Sequence, residues 1–413
     1  MSRNLRIAIQ SIRQNKVRSV LAGFGIAWGI FLLVFFLGVG NGFKNGVMDL
    51  FNGYAQKSLF IYGGQTSIAT KALGENSQII FREDLIKDLK SRYSVVTEYS
   101  PEMTQPSIPV LSEGEIAITS VKGVTSDYFR IKILNVTAGR TLSRMDDRAS
   151  RNVAVIGEGV EQTLFGKASA LGKRVMIGEA LFEVVGILSS EDLFSIQDRY
   201  SVFLPSSSFN ANFNSEGIIN SFCLSLSSDA KTSEIERDLK GFLAWQYGFD
   251  AHDENAVYVA NIEAQTASFE SLFHGLQILI WIVGICLLLS GIVGVTNVML
   301  IIVKERTNEI GIRKAVGATS GSIISMMMTE SIVITACAGV VGALLGIGVV
   351  ILADKFLLPL FETEVISRLE IDSMAIVGSI IVLCLCGVLA GLFPALKASQ
   401  IEPVDAIRYE NRG

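Results

Sequence analysis

The stretch Leu276–Val303, "LQILIWIVGICLLLSGIVGVTNVMLIIV", runs without a break into Lys304–Thr319, "KERTNEIGIRKAVGAT". Twenty-eight residues without one formal charge are followed at once by a segment with four cations and two acids. A membrane span needs roughly 20 mostly apolar residues to cross ~30 Å of hydrocarbon, so the first stretch reads as a span. The second reads as a short charged helix. Ile312 and Val316 stack on one face of it with Ile310 beside them, and Glu309 and Arg313 fall at i, i+4 in the favourable order. Gly317 is placed to end it, and Thr319 or Ser320 to cap the next helix. Taken alone, such a segment is either a solvated loop or a stiff knob tied at both ends to spans.

Three further apolar blocks qualify as spans: Val20–Val39, Ile323–Ala353 and Met374–Leu396. The whole chain of 413 residues is 50% hydrophobic and only 18% charged, with a mean hydropathy of +0.45. Ordinary soluble domains carry about 25% charged residues. The net charge of −5 argues against a nucleic-acid surface. The fold class is therefore a membrane protein of four transmembrane helices. A large α+β domain is inserted between the first and second.

Lys and Arg near the span ends set the orientation. Arg3, Arg6, Arg13, Lys16 and Arg18 precede the first span, and Lys304, Arg306, Arg313 and Lys314 follow the second. The loop after the third span is acidic. The expected organisation is a basic amphipathic helix on the cytoplasmic face (1–18, with Leu5, Ala8, Ile9 and Ile12 on one side), then span one (19–40). An extracytoplasmic domain (41–270), span two (271–303), a cytoplasmic helix (304–319) and span three (320–353) follow. An outer loop (354–373), span four (374–397) and a cytoplasmic tail (398–413) complete the chain. Without an A-x-A cleavage site, the first span reads as an uncleaved anchor.

Small residues recur at helical spacing within the spans: Gly25 and Gly29, Gly342 and Gly346, Gly387 and Gly391. Such rows let helix backbones approach closely in lipid. Glu330 is the acid well inside the third block. An intramembrane carboxylate is a functional candidate by default. Lying about ten residues from the charged loop, it is expected at headgroup level instead.

In the inserted domain, "SLFIYGG", "REDLIKDLKSRY" and "SVVTEYS" read as strand, helix and strand, and so do "SFCLSLS", "KTSEIERDLKGFLAWQY" and "NAVYVANI". Short β segments lie between, including a hairpin turning near Gly178–Glu179. Two lobes are expected, one built from both ends of the domain. The chain carries no H-E-x-x-H, paired Cys-x-x-C or G-x-S-x-G motif, and its two histidines cannot make a metal cluster. No metal site, cofactor or catalytic residue is expected on it.

Three segments resemble permeases of the MacB/FtsX-like family, the membrane subunits of type VII ABC transporters. "KERTNEIGIRKAVGAT" is similar to the signature after the family's second span. "GVTSDYFRIKILNVTAGRTLSRMDDRASRNVAVIGEGVEQTLFGKASALGKRVMIGEALFEVVGIL" resembles the MacB-type periplasmic core. "GLFPALKASQIEPVDAIRYE", with Pro394, Ala395, Ala398, Pro403, Ala406 and Arg408, resembles the C-terminal segment. The resemblance implies a bacterial inner-membrane permease, paired with an identical or paralogous second permease. Two copies of a separate cytoplasmic ATPase would hold the ATP and Mg, since no Walker motif is present here. It implies that Lys304, Glu305, Arg306, Glu309, Ile310, Gly311, Arg313, Lys314, Gly317 and Ala318 form a coupling helix on that ATPase. ATP-driven motion would then work the periplasmic domain (mechanotransmission), for export or efflux, alongside a periplasmic adaptor. The alternatives are lipoprotein extraction and FtsX-like regulation of a cell-wall hydrolase.

Overall fold

The computed structural model describes residues 16–189, 196–215, 217–357 and 373–402. The basic segment around Leu5–Ile12, most of the loop 354–373 and most of the tail 398–413 lie outside the described residues. The chain divides into two compact units: a helical unit of Met1–Gly46 with Ser271–Gly413, and an inserted unit of Val47–Glu270.

Among the described residues, four helices are long and apolar enough to cross a membrane. The first is α1 (Lys16–Asn52). Within the inserted unit follow α2 (Asp84–Arg92), α3 (Tyr128–Ile131), α4 (Arg144–Arg148), α5 (Glu158–Phe165), α6 (Ile196–Arg199), α7 (Ser206–Phe213) and α8 (Thr232–Tyr247). Then come α9 (Ile262–Glu305), α10 (Thr307–Ala315), α11 (Ser320–Leu352) and α12 (Ser373–Ser399). Both α1 and α9 outrun the apolar blocks. The 44 residues of α9 give a rod of about 66 Å, against ~30 Å of hydrocarbon. The extension of α1 through Asn41–Asn52 has a visible cause: Phe43, Val47 and Phe51 repeat every four residues. Phe43 packs edge-on to Phe273 at 5.6 Å and Phe51 against Phe269 at 5.5 Å.

In the helical unit α1 contributes to a core shared by all four long helices. Ala22, Ile26, Ile30 and Val34 share one buried cluster with Leu288, Val295 and Met299 of α9, with Met327 and Ile334 of α11, and with Cys386, Ala390, Ala395 and Ala398 of α12. The outward sides stay apolar, with Phe24, Leu279, Ile282, Leu344 and Leu389 exposed. Helices apolar all round belong in lipid. The small residues sit where backbones meet. A Cβ on Gly25 would lie 3.0 Å from the Gly291 Cα, and one on Gly29 3.0 Å from Leu288. Gly342 leaves room for the Ala27 carbonyl and Gly346 for Val34. Gly387 faces Thr335 and Gly391 faces Ser331, whose hydroxyl donates to the Gly387 carbonyl at 3.2 Å. Pro394 lies inside α12 beside the fully buried Ala395 and Ala398.

The inserted unit is built on strands β1 (Ser58–Gly63), β2 (Phe81–Arg82), β3 (Val96–Ser112), β4 (Glu115–Val124), β5 (Asn135–Gly139), β6 (Val153–Gly157), β7 (Arg174–Ile177), β8 (Ala180–Ser189), β9 (Ser201–Pro205), β10 (Ile218–Ile219), β11 (Ser221–Leu226) and β12 (Val257–Asn261). One sheet runs β12-β1-β11-β3-β4-β9-β6-β8-β5, and β7 pairs with both β3 and β8. That second pairing closes β3, β4, β9, β6, β8 and β7 into a ring. The ring's core holds Val110, Val121, Ile156, Val175, Phe182 and Val202, with Leu164 of α5 and Phe209 of α7. The open half, β12-β1-β11-β3, is covered by α2 and α8 around Leu59, Ile61, Leu85, Phe222, Leu239 and Leu243. Two cores therefore share one sheet. The 17-residue β3 belongs to both, and its register shifts between Gln105 and Ile108 where the two halves join. The β7–β8 hairpin turns through Gly178 at φ +61°, which a side chain would strain.

Two buried charge clusters fix this unit. Asp146 opens α4 through a capping box with Ser143 and holds Arg140 by two bonds of 2.6 and 3.2 Å. Across β3, β4, α6 and the end of α3, Lys122 donates to Glu102 at 2.9 Å and to Asp198 at 2.8 Å, and Lys132 donates to Asp198 at 2.8 Å. Asp198 is 1% exposed. Burial alone would raise its pKa, but the two ammonium groups outweigh it and hold the carboxyl below its ordinary value.

Two outcomes are expected. Gly342→Ala drives a methyl into Ala27 and should lower unfolding stability in lipid by about 2 kcal/mol, while Gly348→Ala, facing open space, should leave it unchanged; denaturant titration of both decides. Asp198→Ala strands the buried Lys132 ammonium, leaves Lys122 with Glu102 alone, and should cost about 3 kcal/mol. Because the folded pKa is depressed, the wild-type contribution is present above the unfolded value, near 3.8, and is lost as pH falls below it. The variant's stability should therefore change less with pH across that acid window.

Candidate functional site

The candidate site is the segment between α9 and α11. One non-helical residue, Arg306 (φ −97°, ψ 14°), separates α9 from α10. At the other end, the Gly317 N–H donates to the Lys314 carbonyl at 3.0 Å and the Ala318 N–H to the Arg313 carbonyl at 2.9 Å. This double closure needs a left-handed residue, which Gly317 supplies at φ +100°. Thr319 then accepts from the Ser322 N–H and caps α11. A helix of nine residues is thus held between two tight breaks.

Its cations turn inward. Arg306 donates to Glu309 at 3.1 Å and to Glu330 of α11 at 3.2 Å. Arg313 reaches the sulfur of Met326, also on α11. Lys314 donates to the carbonyls of Ser399 at 2.5 Å and Ile401 at 3.0 Å, neutralising the negative end of α12. Ile310 and Gly311 are buried, with Ile310 in the helical unit's core cluster. The exposed side carries Glu309, Ile312 and Val316; Ile312 is 54% and Val316 85% exposed. These three recur at i, i+3 and i+7 and so line one stripe. Lys304, Glu305 and Gly317 are exposed as well, and Ala318 is half-buried.

The expected ion pair changes. Glu309 pairs with Arg306 rather than Arg313, because Arg306 lies at the helix start within reach of two carboxylates and Arg313 points the other way. Ile312 and Val316 share the outward face as expected, while Ile310 beside them packs inward. Glu330 is 2% exposed and ion-paired, so it is an interior carboxylate with a cation beside it. Sequence spacing could not find this pair, since Arg306 and Glu330 are 24 residues apart. Among the described residues, no group of three His, Cys, Asp or Glu side chains is placed to hold a metal ion.

Known proteins are similar to this chain over both of its units. Residues 19–242 match the MacB-like periplasmic core domain and residues 281–403 the FtsX-like permease C-terminal region. The chain belongs to the MacB/FtsX-like ABC transporter permeases. It is 29% identical to the ABC transporter permease YknZ of Bacillus subtilis, over 98% of this chain and 99% of that one. It is 27% identical to the macrolide export ATP-binding/permease protein MacB of Bdellovibrio bacteriovorus, over 99% of this chain and 62% of that one. MacB of Neisseria meningitidis is 26% identical over 98% of this chain and 60% of its own length. The permease thus spans about three-fifths of these MacB proteins, aligning with their permease part. Among solved structures, the periplasmic region of MacB from Actinobacillus actinomycetemcomitans covers 53% of the chain at 19% identity, with a TM-score of 0.43. The match to residues 281–403 takes in α10 and its partners on α11 and α12.

The break at Gly317 is open to test. Gly317→Ala must hold a side chain at φ +100° and should cost about 1 kcal/mol, read as earlier thermal unfolding of the purified protein in detergent; an unchanged midpoint would contradict the assigned closure.

Proposed function

We propose that this permease subunit couples ATP hydrolysis on a separate cytoplasmic ATPase to motion of its inserted domain, in an export system of the bacterial cytoplasmic membrane. The observation that carries the reading is the division of labour within α10. Its cations are engaged by its own chain, and its outward stripe is apolar. An exposed isoleucine and valine on a helix otherwise rich in charge form a small docking surface rather than a solvated loop. Glu309 at the edge of the stripe adds a polar contact.

Further support comes from the spans. Both α1 and α9 continue as single helices well beyond bilayer thickness, and rods of that length carry displacement without dissipating it in loops. The excess of Lys and Arg flanking the first span and following the second favours a cytoplasmic α10 and cytoplasmic termini. The inserted domain then lies outside. The names of the MacB relatives join an ATP-binding part to a macrolide-export permease. In the arrangement proposed here, the ATP-binding part is a second polypeptide, present in two copies that hold ATP and Mg. Two permeases, identical or paralogous, stand over them, with an adaptor or cell-wall enzyme as the outer partner. The membrane subunit itself performs no bond chemistry.

The test is Ile312→Glu with Val316→Glu. Both side chains point away from the core, so the fold should survive. Recovery of the ATPase on the affinity-purified permease should fall at least tenfold, about 1.4 kcal/mol of binding. Undiminished recovery would exclude this stripe as the docking surface.

A further inference from the structure

A push on Ile312 and Val316 can do two things. It can swing α10 about its two end joints, or it can carry α11 and α12 with it. Arg306 is a single non-helical residue and Gly317 sits at φ +100°. Left to themselves, two such joints let the helix pivot and absorb the displacement. The side chains of α10 decide otherwise, because each cation reaches a different neighbour. Arg306 reaches Glu330 and Arg313 reaches Met326, both on α11, while Lys314 reaches the terminal carbonyls of α12.

The strongest of these ties is at Glu330. Its side chain is 2% exposed and that of Arg306 only 19%. An ion pair so screened from water is held far more firmly than a surface pair. The same guanidinium bonds Glu309 of α10, whose side chain is 59% exposed. One cation therefore joins a carboxylate on the docking stripe to a carboxylate inside the bundle. Resting on the reading of α10 as the partner-facing helix, we propose that Arg306 and Glu330 are positioning residues that lock α10 to α11, so that partner motion is passed to the third span instead of being lost at the joints.

Glu330→Gln is the discriminating variant. It keeps the side chain's shape, removes the charge, and leaves Arg306 its bond to Glu309, so no buried charge is stranded. The first measurement uses the full-length permease alone in lipid nanodiscs. Amide exchange of residues 307–316 should quicken at least tenfold in Glu330→Gln and by less in Glu330→Asp, while exchange in β11 stays as in wild type. Unchanged exchange at 307–316, or equal loosening of β11, would overturn the lock.

The second measurement uses the complex that co-purifies from the membrane. A cysteine replacing Met145, which is 59% exposed, reports motion of the inserted unit through its rate of labelling by a membrane-impermeant thiol reagent. The native thiols interfere little: Cys223 is buried and Cys286, Cys337, Cys384 and Cys386 lie in the apolar spans. Glu330→Gln should keep its ATPase and its basal ATP turnover, yet lose at least fivefold of the ATP-dependent change in labelling. A full change with loosened α10 would overturn the transmission role. A wild-type permease that brings down no ATPase would instead refute the partner reading, with the exchange measurement still deciding the lock.

Discussion

A carboxylate almost stripped of water needs a cation beside it, and at Glu330 that cation is Arg306. Breaking such a pair by removing one member costs several kcal/mol, because the charge left behind has neither solvent nor partner. The arrangement of α10 follows from this requirement. Arg306 must sit at the start of the helix to reach both Glu330 and Glu309. Ile310 then faces the bundle, Lys314 falls against the end of α12, and Ile312 and Val316 are left outside. The charged signature after the second span is thus mainly an internal clamp, and Ile312 and Val316 are its exposed apolar residues.

Close packing makes the clamp worth having. The backbones of α1, α9, α11 and α12 approach at Gly25, Gly342, Gly387 and Gly391, where any side chain would force them apart. Hydroxyls of Ser331 and Thr335 bond carbonyls along the same seam. Small residues let these backbones approach closely, and the packing leaves few voids along the seam. In the inserted unit, the long β3 is shared by an open sheet and a closed ring, with ion clusters beside it.

Much of this is written in local pattern. Unbroken apolar blocks mark the four helices because hydrocarbon tolerates little else, and the strands and helices around "REDLIKDLKSRY" show in their periodicity. The Phe43, Val47, Phe51 repeat could have extended the first helix and was overshadowed by the polar residues between. The helix closure at Gly317 is legible because only a left-handed residue ends a helix that way. What spacing cannot give is pairing across the fold. Glu102, Lys122, Lys132 and Asp198 come from four separate elements, and β7 closes the ring through only two register pairs with β3. Within α10, pattern suggested Glu309–Arg313, but a buried carboxylate 24 residues away took precedence over a weak helical pair worth a few tenths of a kcal/mol.

The most direct measurement is a cryo-electron microscopy structure of the permease in lipid with its co-purified ATPase. Ile312 and Val316 should be buried against the ATPase, with Arg306 still on Glu330 and Lys314 still on the end of α12. A complex in which Arg306, Arg313 and Lys314 turn outward to meet the ATPase, leaving Ile312 and Val316 in water, would contradict it.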